Sequence, residues 1–304
     1  MRDEQSVGFV DGPVTVEVPA TSANLGPGFD CLGLALELRD TLVGEVTSAG
    51  LEVRVAGEGA GQVAGDERHL VVRSMRAAFE AMDRRPLGLH LACTNRIPHG
   101  RGLGSSSAAI VGGIVLARGL VEHGAALLDD GAALSLAYQI EGHPDNVAPA
   151  LLGGFVISGL VGEEVWAQRA PIDSSISAVI FVPPHAVGTE VARGILPGSV
   201  RHQDAAANSG RAALLVAALG GGPEQLLLAT EDFLHQQYRE PAMPESLDLV
   251  RDLRSRGVPA VISGAGPTVL AFVTNDAQDV LRLGPTGWRA VAQRVGEHGA
   301  AVLM

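Results

Sequence analysis

Apolar and polar positions along the chain switch between two periods, and the switches outline the elements. Residues 14–19 (VTVEVP), 51–56 (LEVRVA) and 87–94 (LGLHLACT) alternate and predict half-buried strands. Residues 31–38 and 178–182 are short apolar runs of strand character. Over 70–82, Leu70, Val71, Met75, Ala78, Phe79 and Met82 recur at helical spacing. Helices are also predicted at 105–120, 131–141, 205–219, 226–239 and 247–255. Segments 20–30 (ATSANLGPGFD) and 95–104 (NRIPHGRGLG) are dense in Gly, Pro, Ser and Asn and predict loops. Residues 258–263 and 268–273 flank the turn GAGP as a hairpin. No repeat period appears. Strands and helices alternate irregularly, which predicts α+β layers, not a uniform doubly wound sheet. The pattern changes between residues 155 and 170, so two units are expected, 1–163 and 164–304.

Composition narrows the chemistry. The 22 basic residues are all arginine; there is no lysine. That excludes a Walker-A loop, a protein-kinase strand lysine and Schiff-base catalysis, each of which needs a lysine amine. The net charge of −12 argues against nucleic acid or an anionic membrane as partner, since both need a cationic surface. Two cysteines, Cys31 and Cys93, make no disulfide framework and fit a reducing cytoplasm. The first residues, MRDEQSVGFVDGPV, show no leader pattern. The uncharged stretches 102–117 and 146–162 fall short of the roughly 18–20 apolar residues of a membrane span.

Candidate chemistry concentrates in two places. Pro98, His99, Gly100, Arg101, Gly102, Leu103, Gly104, Ser105, Ser106, Ser107 and Ala108 form a glycine-alternating loop that opens a helix with serines. Glycines let backbone N–H groups turn inward as an anion nest, and a helix N-terminus favours phosphate. Such a site holds a triphosphate without lysine, and a serine hydroxyl there suits Mg2+. The dinucleotide fingerprint fails at Ser105, and the nucleophile elbow G-x-S-x-G fails at Ala108, which leaves a serine hydrolase as the weaker alternative. The second place is Glu141, His143, Asp145 and Asn146, beside the apolar run VAPALLGGF. Glu141 is suited to hold a metal opposite the serine, and the other three to orient a small polar substrate; an ordinary turn with a capping histidine is the alternative.

The loop PHGRGLGSSSAA resembles the second motif of the GHMP kinases, the superfamily of galacto-, homoserine, mevalonate and phosphomevalonate kinases. VPATSANLGPGFD and EGHPDNVAPALLGGF resemble motifs of its homoserine kinase branch, and SGAGPT the superfamily's C-terminal glycine motif. The resemblance implies a two-domain α+β fold, with an N-terminal domain like the second domain of ribosomal protein S5 and a ferredoxin-like C-terminal domain. It implies ATP and Mg2+ as cofactors and phosphorylation of the L-homoserine hydroxyl to O-phospho-L-homoserine, towards threonine. By motif, residues 98–108 would wrap the ATP phosphates, and Ser106 and Glu141 would ligate Mg2+. Asn24, Asp30, His143, Asn146, Thr189, Arg193 and Arg239 would contact the substrate. Asp30 would take its ammonium, and the two arginines its carboxylate. Asp30, Asn146 and Glu141 would carry the catalysis, by positioning and charge neutralisation, with no indispensable general base. Members of the family often form homodimers. One departure stands out: His69 precedes Leu70 and Val71 where the family commonly has Asn near the adenine. A mevalonate-type kinase is disfavoured by the missing lysine, and a non-catalytic binder by retention of Asp30, Ser106, Glu141 and both arginines.

Overall fold

The computed structural model describes residues 8–274 and 277–303. Residues 1–7, the start of the segment without a leader pattern, lie outside them. The chain opens with two long antiparallel strands, β1 (Val14–Asn24) and β2 (Gly28–Thr47). Both exceed the expected strands. Residues 20–24 are strand and not loop because their polar groups find partners across the fold: Thr21 N donates to Leu103 O and Thr21 Oγ1 to Asn146 Oδ1. Polar residues conceal the length of β2 in the same way. Asp40, in its middle, is buried and accepts from the backbone N–H groups of Arg96 and Ile97.

β3 (Gly50–Gly57) and β4 (Gly88–Asn95) pair in parallel, and α1 (Leu70–Ala81) makes the crossover between them. Next come α2 (Ser105–Leu120), α3 (Gly124–Leu127), α4 (Asp130–Glu141) and α5 (Pro144–Leu152). The helix α5 stands where residues 143–146 offered an ordinary turn as the alternative reading. Pro144 stands at a first-turn position, where the missing N–H has no intrahelical acceptor to lose. The helix then lies so close to β2 that a Cβ at Gly33 would collide with the Asp145 carbonyl and press on the Pro149 ring. A hairpin, β5 (Phe155–Val161) and β6 (Glu164–Ala170), adds to the edge of β2. The expected division at 163 falls in its turn, and both of its strands belong to this first sheet.

The second sheet contains β7 (Ser177–Val182), β8 (Ala260–Ile262), β9 (Val269–Val273) and β10 (Arg289–Gln293) in the antiparallel order β10-β7-β9-β8. Around it lie α6 (Thr189–Gly194), α7 (His202–Leu219), α8 (Leu226–Ala229), α9 (Pro244–Ser255) and α10 (Gln278–Leu281). The helix expected over 226–239 stops at Ala229 because Asp232 captures the N–H groups of Leu234, His235 and Gln236. The last strand, β11 (Ala301–Leu303), returns to pair with β1. Alternation along β7 serves two cores: Ile180 joins the large core of the first sheet, while Val179 and Phe181 pack under α9 with Leu253 and Ile262. Among the described residues no helix is long and apolar enough to cross a membrane.

Gly33→Ala should cost about 1–3 kcal/mol through overpacking. Gly210→Ala, in the exposed interior of α7 with nothing near the added methyl, should stabilise by about 0.5–1 kcal/mol. Thermal unfolding of the two variants checks the contrast.

Candidate active site

Three distant segments meet where β1 ends. Ser263 Oγ hydrogen-bonds Gly102 O at 2.6 Å and Ser22 Oγ at 2.8 Å. Gly264 N donates to Ala23 O, and Asn24 Nδ2 donates to Gly264 O at 2.9 Å. The GAGP turn is thereby tied to both the phosphate loop and the end of β1. The loop glycines Gly100, Gly102 and Gly104 all have positive φ. At Gly102 a Cβ would strike the Ser263 carbonyl, and at Gly104 it would strike the Thr21 hydroxyl, so only glycine fits either position. Gly104 leads directly into α2, whose first residues are Ser105, Ser106 and Ser107.

Two neighbouring cavities share Ser105 and Ser106. One, of about 180 Å3, is polar and includes Asn24, Glu141, His143, Asn146, Thr189, Arg193 and Arg239 in its lining. It therefore gathers the expected substrate residues except Asp30, which joins through Arg193. The other, of about 360 Å3, is mainly apolar and includes Val18, Leu42, His69, Val71, His99, Ala108 and Ala109. The expected loop residues divide. Pro98 and Leu103 are buried in the protein. Arg101 turns away from both cavities and donates to the carbonyls of His99, Pro183 and Pro184, pinning the loop to the end of β7.

Ser106 Oγ and Ser107 Oγ donate to the same Glu141 oxygen, Oε1, at 2.7 and 2.8 Å. The serines thus face a carboxylate and not a histidine, which removes the geometric basis for a serine hydrolase. On the opposite side Arg193 forms a bidentate pair with Asp30, at 3.1 and 2.5 Å. Asp30 and Asn24 both have positive φ, and Asp30 N donates to Asn24 Oδ1, which closes this turn. Arg239 is almost fully buried. Its Nη1 donates to Gly264 O and His235 Nδ1, while His235 Nε2 donates to Gly26 O. Burial pushes its guanidinium down to about 10, with the like charge of Arg193 adding to the effect, so it remains a cation at neutral pH. Sequence reasoning missed this support because His235 lies in a segment of helical pattern.

Asp145, also buried, bonds His143 Nδ1 at 3.1 Å. Burial works against a charged His143, but the Asp145 hydrogen bond and the charges of Asp145 and Glu141 outweigh it and raise its pKa. Asn146 Oδ1 accepts from Thr21 Oγ1. The arrangement sets an anion-binding backbone and a carboxylate beside a pair of opposite charges.

The family signature described as GHMP kinases N terminal domain matches residues 69–154, and that described as GHMP kinases C terminal matches 213–283. The chain belongs to the GHMP kinases. It is 58% identical over 296 residues to the homoserine kinase of Streptomyces avermitilis, covering 97% of each chain. It is 49% identical to that of Clavibacter michiganensis, covering 96% of this chain and 90% of the relative. These likenesses put this GHMP kinase in the homoserine kinase branch. A crystal structure of homoserine kinase from Cytophaga hutchinsonii superposes with a TM-score of 0.84 at 27% identity, covering 96% of this chain and 97% of that one. Mevalonate diphosphate decarboxylase from Staphylococcus aureus shares the fold, with a TM-score of 0.71 at 15% identity over 96% of this chain and 98% of that one. The two-domain α+β GHMP kinase fold expected from the motifs is the observed one.

The raised pKa of His143 has a definite sign in stability. The fold favours the protonated ring, so its contribution is complete below the ordinary value of about 6.5 and is lost as pH rises through the folded value. The stability gap between this GHMP kinase and its His143→Gln variant, measured in urea, should be widest below about pH 6.5 and narrow as pH rises above it. A gap that widens with pH contradicts the pairing.

Proposed function

We propose that the protein transfers the γ-phosphoryl group of ATP to the side-chain hydroxyl of L-homoserine, giving O-phospho-L-homoserine for threonine synthesis. The observation that carries this reading is the Asp30–Arg193 pair beside the glycine loop, with the buried Arg239 in the same cavity lining. A negative and two positive groups next to a phosphate nest match the ammonium and carboxylate of a small amino acid. The relatives named homoserine kinase, at up to 58% identity, support the same substrate.

In this reading the loop 98–108 wraps the triphosphate with backbone N–H groups and the α2 N-terminus. The adenosine occupies the apolar cavity of about 360 Å3. Ser106 and Glu141 hold Mg2+. Their fit is good: Ser106, Ser107 and Glu141 offer only oxygen, the donor a hard cation prefers. Among the described residues no cluster of three or more His, Cys, Asp or Glu could form an all-protein cage. That suits an ion which keeps positions for phosphate and water. When bound, Mg2+ neutralises charge on the transferring group.

Asp30 takes the homoserine ammonium, and Arg193 and Arg239 take its carboxylate. Asn24, His143, Asn146 and Thr189 complete the wall around the hydroxyl chain. No side chain is required as general base, because positioning and electrostatics supply most of the rate. Functionally, residues 1–163 carry the nucleotide side and 164–304 contribute Thr189, Arg193 and Arg239. We further infer a cytoplasmic homodimer, which sedimentation of the purified protein tests.

A coupled ATP/Mg2+ assay across homoserine, mevalonate and threonine should give turnover with homoserine. ATP binding without turnover of any of them contradicts the reading. Glu141→Ala and Ser106→Ala should each lower kcat about a hundredfold with little change in Tm. Near-normal turnover in either variant removes that residue from the metal site.

A further inference from the structure

Phe29 is placed unlike the core phenylalanines of this chain. Phe79, Phe155, Phe181 and Phe272 are buried in the two hydrophobic cores, whereas Phe29 is half-buried and belongs to neither. Its ring instead meets polar side chains of the site. The guanidinium carbon of Arg193 lies over the ring, 5.6 Å from its centroid, and that of Arg239 lies 5.8 Å away. The His235 imidazole stacks on it at 5.1 Å and 27°. Both guanidinium distances fall within the roughly 6 Å over which a cation is drawn to the negative face of an aromatic ring.

The backbone is bent for this contact. In a regular strand consecutive side chains point to opposite faces. Phe29 and Asp30 are consecutive in β2, yet both reach Arg193, one through its ring face and the other through a bidentate ion pair. Asp30 has a φ of 56°, a left-handed conformation uncommon outside glycine, and it breaks the alternation.

Electrostatics explains what a ring gains at this position. Arg193 and Arg239 are like charges in one cavity lining, and after burial their repulsion is the next cause of the lowered pKa of Arg239. Arg193 has the Asp30 carboxylate as partner. Arg239 bonds only neutral acceptors, the carbonyls of Ala192 and Gly264 and Nδ1 of His235. Burial pushes His235 below its ordinary pKa, so the stacked imidazole adds no third positive charge. A ring face against both cations offsets their repulsion, and unlike a second carboxylate it does not compete with an incoming anion for their N–H groups.

We propose that Phe29 is a positioning residue for the amino-acid substrate: its ring face holds the guanidinium groups of Arg193 and Arg239 together, so that both serve one carboxylate. This rests on the substrate assignment made above.

Ring fluorination supplies the test, because fluorine drains charge from the ring face and changes its volume little. The full-length enzyme is made with 4-fluoro-, 3,5-difluoro- or 3,4,5-trifluorophenylalanine at position 29. KM for homoserine should climb with each fluorine, to about tenfold at the third, while KM for ATP and Tm stay level. Phe29→Leu, apolar but without a π face, should raise KM for homoserine by a similar factor. A KM for homoserine that is flat across the fluorine series overturns the proposal. So does a rise shared equally by KM for ATP, which marks a packing role. Arg193→Gln separates this failure from that of the substrate assignment. If Arg193→Gln raises KM for homoserine and the fluorine series does not, only the role of Phe29 is wrong. If Arg193→Gln leaves KM for homoserine unchanged, the carboxylate assignment is wrong and the proposal falls with it.

Discussion

The site depends on one short hydrogen-bonded stitch. Ser263 reaches Gly102 and Ser22, and Gly264 exchanges bonds with Ala23 and Asn24. These contacts join a turn of the second sheet to the phosphate loop and to the end of β1. Segments some 160 and 240 residues apart in sequence are held within hydrogen-bond distance. The bonds are buried or partly buried, so an unmade partner would leave a desolvated polar group. Glycine at 102 follows from the same constraint, because the Ser263 carbonyl occupies the space a side chain would need.

From that joint the charges fall into place. The start of β2 carries Asp30, and the network through His235 fixes Arg239 against Gly264. Arg193, from α6, closes on Asp30. The two opposite charges satisfy one another, which spares the protein an unpaired carboxylate in a half-buried site. On the other flank Ser106 and Ser107 converge on one oxygen of Glu141. One face thus carries a carboxylate with two hydroxyls, and the other a carboxylate with two guanidinium groups.

Much of this was legible in the sequence, and the limits have physical causes. The loop 98–108 could be read because glycine alternation and a serine-opened helix are local devices. Its division of labour could not. Arg101 has the charge to meet a phosphate, yet its guanidinium is committed to the carbonyls of Pro183 and Pro184, and only the position of β7 decides that. Residues 20–24 have loop composition, but cross-chain partners make them strand. Residues 143–146 offer an ordinary turn as the alternative reading, but close packing on Gly33 holds 144–152 as a helix. In each case a local conformational preference is weaker than the tertiary hydrogen bonds or close packing that oppose it.

By itself, the sequence determined the chemistry available. A chain without lysine must bind phosphate through backbone amides, a helix N-terminus, hydroxyls and arginine, and its motifs already named the superfamily. Hydrophobic periodicity settled the main helices and half of the strands, because period and burial are properties of neighbouring residues. Tertiary structure alone decided which polar groups remain free to act. Asn24 Nδ2 and Arg239 Nη1 are spent on holding the site together, whereas His69 is left with an unused nitrogen. That distinction depends on which groups lie within about 3 Å of one another, and for residues so far apart in sequence only the folded chain fixes such distances.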